Sequence, residues 1–532
     1  MNYTMKNLRD LVFVSHLILA LMVSRAAGKE AEHPSAEVTI ANGVLAGVAE
    51  ADGVRSFKGI PYARPPVDEL RWREPQPVRD WTGVRRADQF GPRPMQPTLW
   101  SDMIFRSSTM SEDCLYLNVW TATTEPGARL PVLVFFHGGG MIAGDGSEPR
   151  YDGASMARKG IVMVTINYRL GIFGFLAHPE LTKESAHHAS GNYGFLDQNA
   201  ALRWVQRNIA AFGGDPRRVT IGGQSAGATS VCAQMASPLS RDLFVGAIGQ
   251  SGSALGSGNA PLSEGEQAGV AFATSVGADS LTALRHLSSD VLLKASTAYQ
   301  FSRRMLVDGY FFTEPASEIF FTGRQADVPL LAGWTSAEVG LGQVLGQNQP
   351  TVTNYQNAVR QLYGANADAV LRLYPATEPG AVAPAATDLA SDRFAGYRTW
   401  KWIDLHSKSG GSPVFRYLFD QPLPEEKSST VLKVGNEARV RALGSPHSSD
   451  IPYALGNLGL VPAYAWTDAD RATSETLQQY FVNFVRNGNP NSATLPHWPW
   501  IQASIPQVMV IREKSLAEPE KNSKRYLLLD SF

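Results

Sequence analysis

Residues 219–230 read VTIGGQSAGATS, and this stretch constrains the chain more than any other. An apolar, β-branched run gives way to a serine held between two glycines, Gly223-Gln224-Ser225-Ala226-Gly227, and small residues follow at helical spacing. Gly-x-Ser-x-Gly at a strand-to-helix junction sets the serine on a sharp turn that lifts its hydroxyl out of the sheet. Only residues without a Cβ fit beside so tight a turn. The free N–H groups of the following helix then point at whatever the serine attacks. A tight turn without chemistry would read the same way, so the rest of the chain has to decide.

Apolar runs recur on both sides of this junction. VLVFFHGGG from Val132, IVMVTINY from Ile161, AIGQSG from Ala247, VPLLAGW from Val328 and VFRYLF from Val414 read as strands. Between the second of these and the serine, LDQNAALRWVQRNIAAF places Leu202, Val205, Ile209 and Phe212 on one helical face. Gly213-Gly214-Asp215-Pro216 ends that helix. Continuous apolar strands alternating with amphipathic helices predict an α/β fold, with a largely parallel central sheet covered on both faces. Ligands in such sheets bind beyond the carboxyl ends of the strands, where the serine turn and HGGG both fall. Segments 253–325 and 340–410 are rich in Ala, Gly, Ser and Pro. They read as insertions above the sheet, either walling a gorge or elaborating the surface. Much of Tyr374–Asp388 reads as loop.

A chain of 532 residues, 44% hydrophobic, can bury a large core in one elaborated domain or several ordinary ones. Its net charge of −1 argues against a nucleic-acid partner. The ten histidines show no metal-ligand spacing, and neither a metal nor another cofactor is expected. Lys6 and Arg9 precede the apolar run Leu11–Val23, with small residues after it, the pattern of an export leader over 1–28 cleaved after Ala26 or Gly28. An uncleaved anchor is the alternative. The run is too short to span a bilayer comfortably, so the mature domain, 35–532, is expected to be exported without a membrane span, as a periplasmic or secreted bacterial protein. Cys114 and Cys232 are expected to be free thiols, and the chain a monomer or small homo-oligomer.

A serine hydroxyl becomes a useful nucleophile only when a base removes its proton and donors receive the oxyanion. His137-Gly138-Gly139-Gly140 follows a strand directly, and such a turn points backbone N–H groups into a pocket. The N–H groups of Gly139, Gly140 and Ala226 are the expected oxyanion donors.

Several long stretches are together distinctive: FKGIPYARPPVDELRW, SEDCLYLNVW, VFFHGGG, VTINYRLGIFGFL, GNYGFLDQNAALRWVQRNIAAFGGDPRRVTIGGQSAGA, QSGS and FVNFVRNGNPN. Through them the chain resembles the type-B carboxylesterases, the α/β-hydrolase family that includes cholinesterases and bacterial para-nitrobenzyl esterases. The resemblance implies that fold and an acyl-enzyme mechanism on a small-molecule carboxylic ester, with triad order Ser, Glu, His. It places the acid at Glu338, in LLAGWTSAEVG, although the usual Asp-Glu-Gly is Ala337-Glu338-Val339 here. It places the base at His447, in SPHSSDIPYALGN, with Ser225 as nucleophile. His406 and His497 lack that context and read as structural. Asp450 caps a turn, tethers the histidine loop, or is itself the orienting acid. Glu112 and Asp113 read as loop anchors, and Ser251 as a neighbour of the acid. An inert binding protein and an acyltransferase on the same scaffold are the competing readings.

Three positions depart from the resemblance. Gln224 stands where a glutamate is usual beside the serine, which makes the pocket less hostile to anionic substrates. Met141 replaces the aromatic that commonly follows HGGG, and either accepts a different acyl shape or only fills space. The cysteine that often pairs with that of EDCLYLN is missing, with Pro94 near its place.

Overall fold

The computed structural model describes residues 35–50, 52–256, 259–301, 304–427, 443–501 and 506–532; the expected leader over 1–28 lies outside them. Thirteen strands form one sheet. In chain order these are β1 (Ser35–Ile40), β2 (Gly43–Ala49), β3 (Arg55–Pro61), β4 (Val84–Arg86), β5 (Tyr116–Thr121), β6 (Leu130–Phe136) and β7 (Val162–Ile166). They continue with β8 (Gly214–Gln224), β9 (Gly246–Gln250), β10 (Leu330–Thr335), β11 (Val414–Phe419), β12 (Gln507–Ile511) and β13 (Leu516–Pro519). Their spatial order is β1-β2-β3-β5-β7-β6-β8-β9-β10-β11-β12-β13, with β4 beside β2. From β7 to β12 every neighbouring pair is parallel. Antiparallel pairs flank that block on both sides.

Alternation along the strands feeds two cores. Val132, Val134 and Phe136 of β6 join one buried cluster, while Leu133 and Phe135 join another. The first is closed by α1 (Tyr193–Asn208) through Leu202 and Val205, and by α2 (Ala226–Ala236) through Val231 and Met235. The second lies under α5 (Asp468–Asn487), whose Leu477, Tyr480, Phe481 and Phe484 are buried. Strands covered on both faces must be apolar on both, which is why these runs are continuous rather than alternating.

The segment before α5 is more regular than its composition indicates. The sequence predicts loop over much of Tyr374–Asp388, but α3 (Pro379–Ser391) occupies most of it. Pro379 stands at the first helical positions, where its fixed φ and missing N–H cost nothing, and Val382, Ala385, Ala386 and Leu389 bury one face. With Val344, Tyr355, Val359 and Val370 they form a third, separate core. A π-turn (Asp392–Gly396) then leads into α4 (Tyr397–Ser409). Cys114 and Cys232 are both buried free thiols. Among the described residues no helix is long and apolar enough to cross a membrane.

Candidate active site

Four strand ends converge at the carboxyl edge of the parallel block. β8 ends in Gln224, and Ser225 turns the chain into α2 with φ 57° and ψ −119°, far from helical or extended values. A non-glycine residue held there is strained and persists only because its surroundings determine it. The Ser225 N–H donates to the Gln250 carbonyl at the end of β9 (2.7 Å), and its carbonyl accepts from Thr229 (2.9 Å). Both flanking glycines are sterically required. A Cβ on Gly227 would lie 2.0 Å from the Phe136 carbonyl oxygen, and one on Gly223 would lie 2.4 Å from Gly227.

The turn after β6 packs against this elbow. A Cβ on Gly138 would lie 2.8 Å from Gln224 Oε1 and 3.3 Å from Ser225 Cβ. Gly139 and Gly140 both take positive φ, 101° and 62°. The Gly139 carbonyl accepts from Ile142 and Ala143 (3.0 Å each), which fixes the turn. The N–H groups of Gly139, Gly140 and Ala226 have no acceptor among the described residues. His137 is buried, stacked on Tyr168 with ring centroids 4.4 Å apart, and burial pushes its imidazole down to about 4. It stays neutral and supports the turn.

After β10 the chain turns through Ala337, bridged to Pro446, so that Glu338 and His447 lie side by side. The His447 N–H donates to the Glu338 carbonyl (3.1 Å), and Ala337 donates to the Ser445 carbonyl (2.9 Å). Glu338 is buried; its Oε1 accepts from the Thr335 N–H (2.8 Å) and its Oε2 is hydrogen-bonded to His447 Nδ1. An imidazole that gives its Nδ1–H to a carboxylate presents a lone pair at Nε2. The Gln224 amide donates to that nitrogen at 3.1 Å, and the Ser225 hydroxyl makes no hydrogen bond to His447 in this structure. Glu338, His447 and Gln224 thus form one chain of contacts, with Ser225 the next residue along the backbone.

Asp450 does not join it. Its Oδ2 accepts from Gln250 Nε2 (2.9 Å) and the Tyr417 hydroxyl (2.8 Å) beneath the histidine loop, while its Oδ1 has no partner among the described residues. Burial pushes its carboxyl up to about 6, against those two hydrogen bonds, with Glu338 adding to the rise. Of the two acids, Glu338 is the one in contact with His447.

The other residues singled out fall as follows. Ser251 has φ 56°, donates its N–H to Gly333 (2.8 Å), and keeps a buried hydroxyl without a partner among the described residues. Met141 packs into the buried core, with its carbonyl accepting from Gly171 (2.7 Å). Glu112 pairs with Arg71, both almost wholly buried, and so anchors its loop. His406 is buried and bonded to Gln325 and to the Val328 carbonyl, away from this constellation.

A model of the carboxylesterase family matches residues 34–527. The chain belongs to the carboxylesterase family. The fumonisin B1 esterase of Sphingopyxis macrogoltabida is 37% identical to it, over 86% of this chain and 83% of that one. The para-nitrobenzyl esterase of Bacillus subtilis is 32% identical, over 92% and 97%. A crystal structure of the Geobacillus stearothermophilus carboxylesterase superposes with a TM-score of 0.79 at 30% identity, covering 93% of this chain and 99% of that one. The architecture is therefore the α/β-hydrolase fold.

Sequence reasoning missed the residues that frame this candidate site. Phe394, in the π-turn, sets its ring edge-on to His447 with centroids 4.9 Å apart. Trp100, Met103 and Ile142 lie against the Gly139-Gly140 turn. They come from segments without clear periodicity; only the π-turn itself, a feature frequent at functional sites, marks one of them, and it is visible only in the backbone.

Proposed function

We propose that this carboxylic-ester hydrolase works through an acyl-enzyme on Ser225. His447 takes the serine proton as Ser225 attacks the ester carbonyl, and later gives it to the leaving alcohol. Glu338 holds the imidazole with its proton on Nδ1 and stabilises the imidazolium. The N–H groups of Gly139, Gly140 and Ala226 receive the developing oxyanion. Water then repeats the attack and releases the acid.

The observation that carries this reading is the Glu338–His447 contact beside a serine held at φ 57°. Gln224 holds His447 Nε2 in this structure, and catalytic hydrogen bonds are often loose until substrate binds. The family relatives named as esterases support small-molecule esters as the substrate class. Residues 1–28 are read as an export leader ahead of a single catalytic domain. The test is initial-rate hydrolysis of para-nitrophenyl esters of graded acyl length by the purified protein and by Ser225→Ala. The variant is expected to lose about a thousandfold or more in kcat. Near-normal turnover would overturn the assignment, and a folded wild-type chain inert to every ester would favour the binding-protein reading.

A further inference from the structure

Beside this site stands a cation with no counter-ion among the described residues. Arg398, at the start of α4, is half-buried, and its guanidinium has no ion pair or hydrogen bond among the described residues. Burial pushes it down from its ordinary value, and no carboxylate among the described residues opposes that shift; only Tyr397 does. An arginine still keeps its charge, and holding a half-buried guanidinium unpaired is costly.

Two contacts tie Arg398 to the elements that carry the reacting centre. One helical turn earlier, Phe394 touches His447. On the other side, the Arg398 carbonyl accepts from Ser253 Oγ (2.7 Å), and the arginine stem crosses Gly256, where a Cβ would lie 2.0 Å from Arg398 Cγ. The loop carrying Ser253 and Gly256 starts from Ser251, and its Gly252 backs onto the Ser225 carbonyl, 2.4 Å from where a Cβ would sit. Arg398 is thus braced against the loop that supports the serine, one turn past the phenylalanine that touches the histidine.

The acids nearby are already engaged. Glu338 is held by His447 and Thr335, Asp450 by Gln250 and Tyr417, and both are buried. The residue adjoining the serine, Gln224, is neutral, so it sets no negative charge against an incoming anion.

We propose that the ester this enzyme is built for carries a carboxylate, and that Arg398 recognises it. The planar guanidinium fork matches a carboxylate bidentately and gives it a charge-assisted pair in a partly dehydrated setting. This rests on the esterase reading above and names its substrate class.

The experiment uses two matched pairs of esters with the full-length protein. 4-Nitrophenyl hemiglutarate against 4-nitrophenyl valerate puts the carboxylate on the acyl part. 4-Carboxyphenyl butyrate against 4-methylphenyl butyrate puts it on the alcohol part. The readout is the ratio of kcat/KM, anionic over neutral, within each variant, so a partly folded preparation cancels. In at least one pair the ratio is expected to fall about tenfold or more in Arg398→Met and Arg398→Gln, and less in Arg398→Lys; the pair that responds locates the carboxylate. Ratios unchanged by all three substitutions in both pairs, as expected if the arginine only packs its stem, would overturn the proposal. So would a wild-type enzyme that favours the neutral ester in both pairs. Absence of turnover that depends on Ser225 is a different result, and would remove the esterase reading itself.

Discussion

Gln224→Glu changes one atom type at the most sensitive point of the site. The Gln224 amide nitrogen lies 3.1 Å from His447 Nε2. A carboxylate oxygen in its place would face the imidazolium at about 3 Å, where two unit charges attract by about 1 kcal/mol in bulk water and about 5 kcal/mol at an effective dielectric of about 20. The His447 side chain is 22% exposed, so the gain falls between these limits. With about 1.4 kcal/mol per pH unit, the acid limb of kcat/KM moves upward by roughly one to four units. The sign follows because the added negative charge stabilises the protonated, inactive base. The assay is a pH profile of kcat/KM from pH 4.5 to 9 on a neutral ester, with wild type and variant in the same constant-ionic-strength buffers. An acid limb that stays in place, or moves down, would refute the claim that this side chain bears on the base.

Three further outcomes follow from the geometry. Glu338→Gln should lower kcat by about three to four orders of magnitude with a much smaller change in KM, since the base loses its tautomer and its counter-charge; a loss under tenfold would contradict that role. Burial holds the Asp450 carboxyl up at about 6, above its ordinary 3.8, so its ionised form is disfavoured in the fold and wild-type stability falls as pH rises through that interval. Asp450→Asn should therefore gain on wild type between pH 4 and pH 8, by about 2.5 kcal/mol, in denaturant unfolding; a gap that does not change with pH would contradict it. Gly227→Ala, whose Cβ would lie 2.0 Å from the Phe136 carbonyl oxygen, should cost about 2–3 kcal/mol in the same measurement, whereas Gly380→Ala, with no atom near its Cβ, should not destabilise the chain.

What the sequence made legible is what local physics dictates. The runs ending at Phe136, Gln224, Gln250 and Thr335 are apolar because both sheet faces are covered, and the elbow is legible because the crossing of β8 and α2 tolerates no Cβ at Gly223 or Gly227. Glu338 and His447 are different. They are 109 residues apart, and no periodicity joins them; in the sequence only the family resemblance pairs them. The contact of Gln224 with His447, the edge of Phe394 and the lack of a counter-ion for Arg398 among the described residues have no signal in the sequence. Phe394 and Arg398 follow a helical layer patterned by its own core of Val344, Tyr355, Val359 and Leu389, so the hydrophobic pattern there reports that packing rather than the site. Tyr374–Asp388 misled for a related reason. Its prolines and glycine suggested a loop, yet Pro379 opens a helix and its alanines bury one face.

The central claim is that Ser225 is the one nucleophile and that His447 activates it. A fluorophosphonate probe, followed by intact-mass measurement and peptide mapping, tests it directly on the purified protein. One adduct per chain is expected on Ser225, with labelling abolished in Ser225→Ala and slowed about a thousandfold or more in His447→Ala. An adduct on another residue, or ester hydrolysis that survives when Ser225 is fully labelled, would contradict the account.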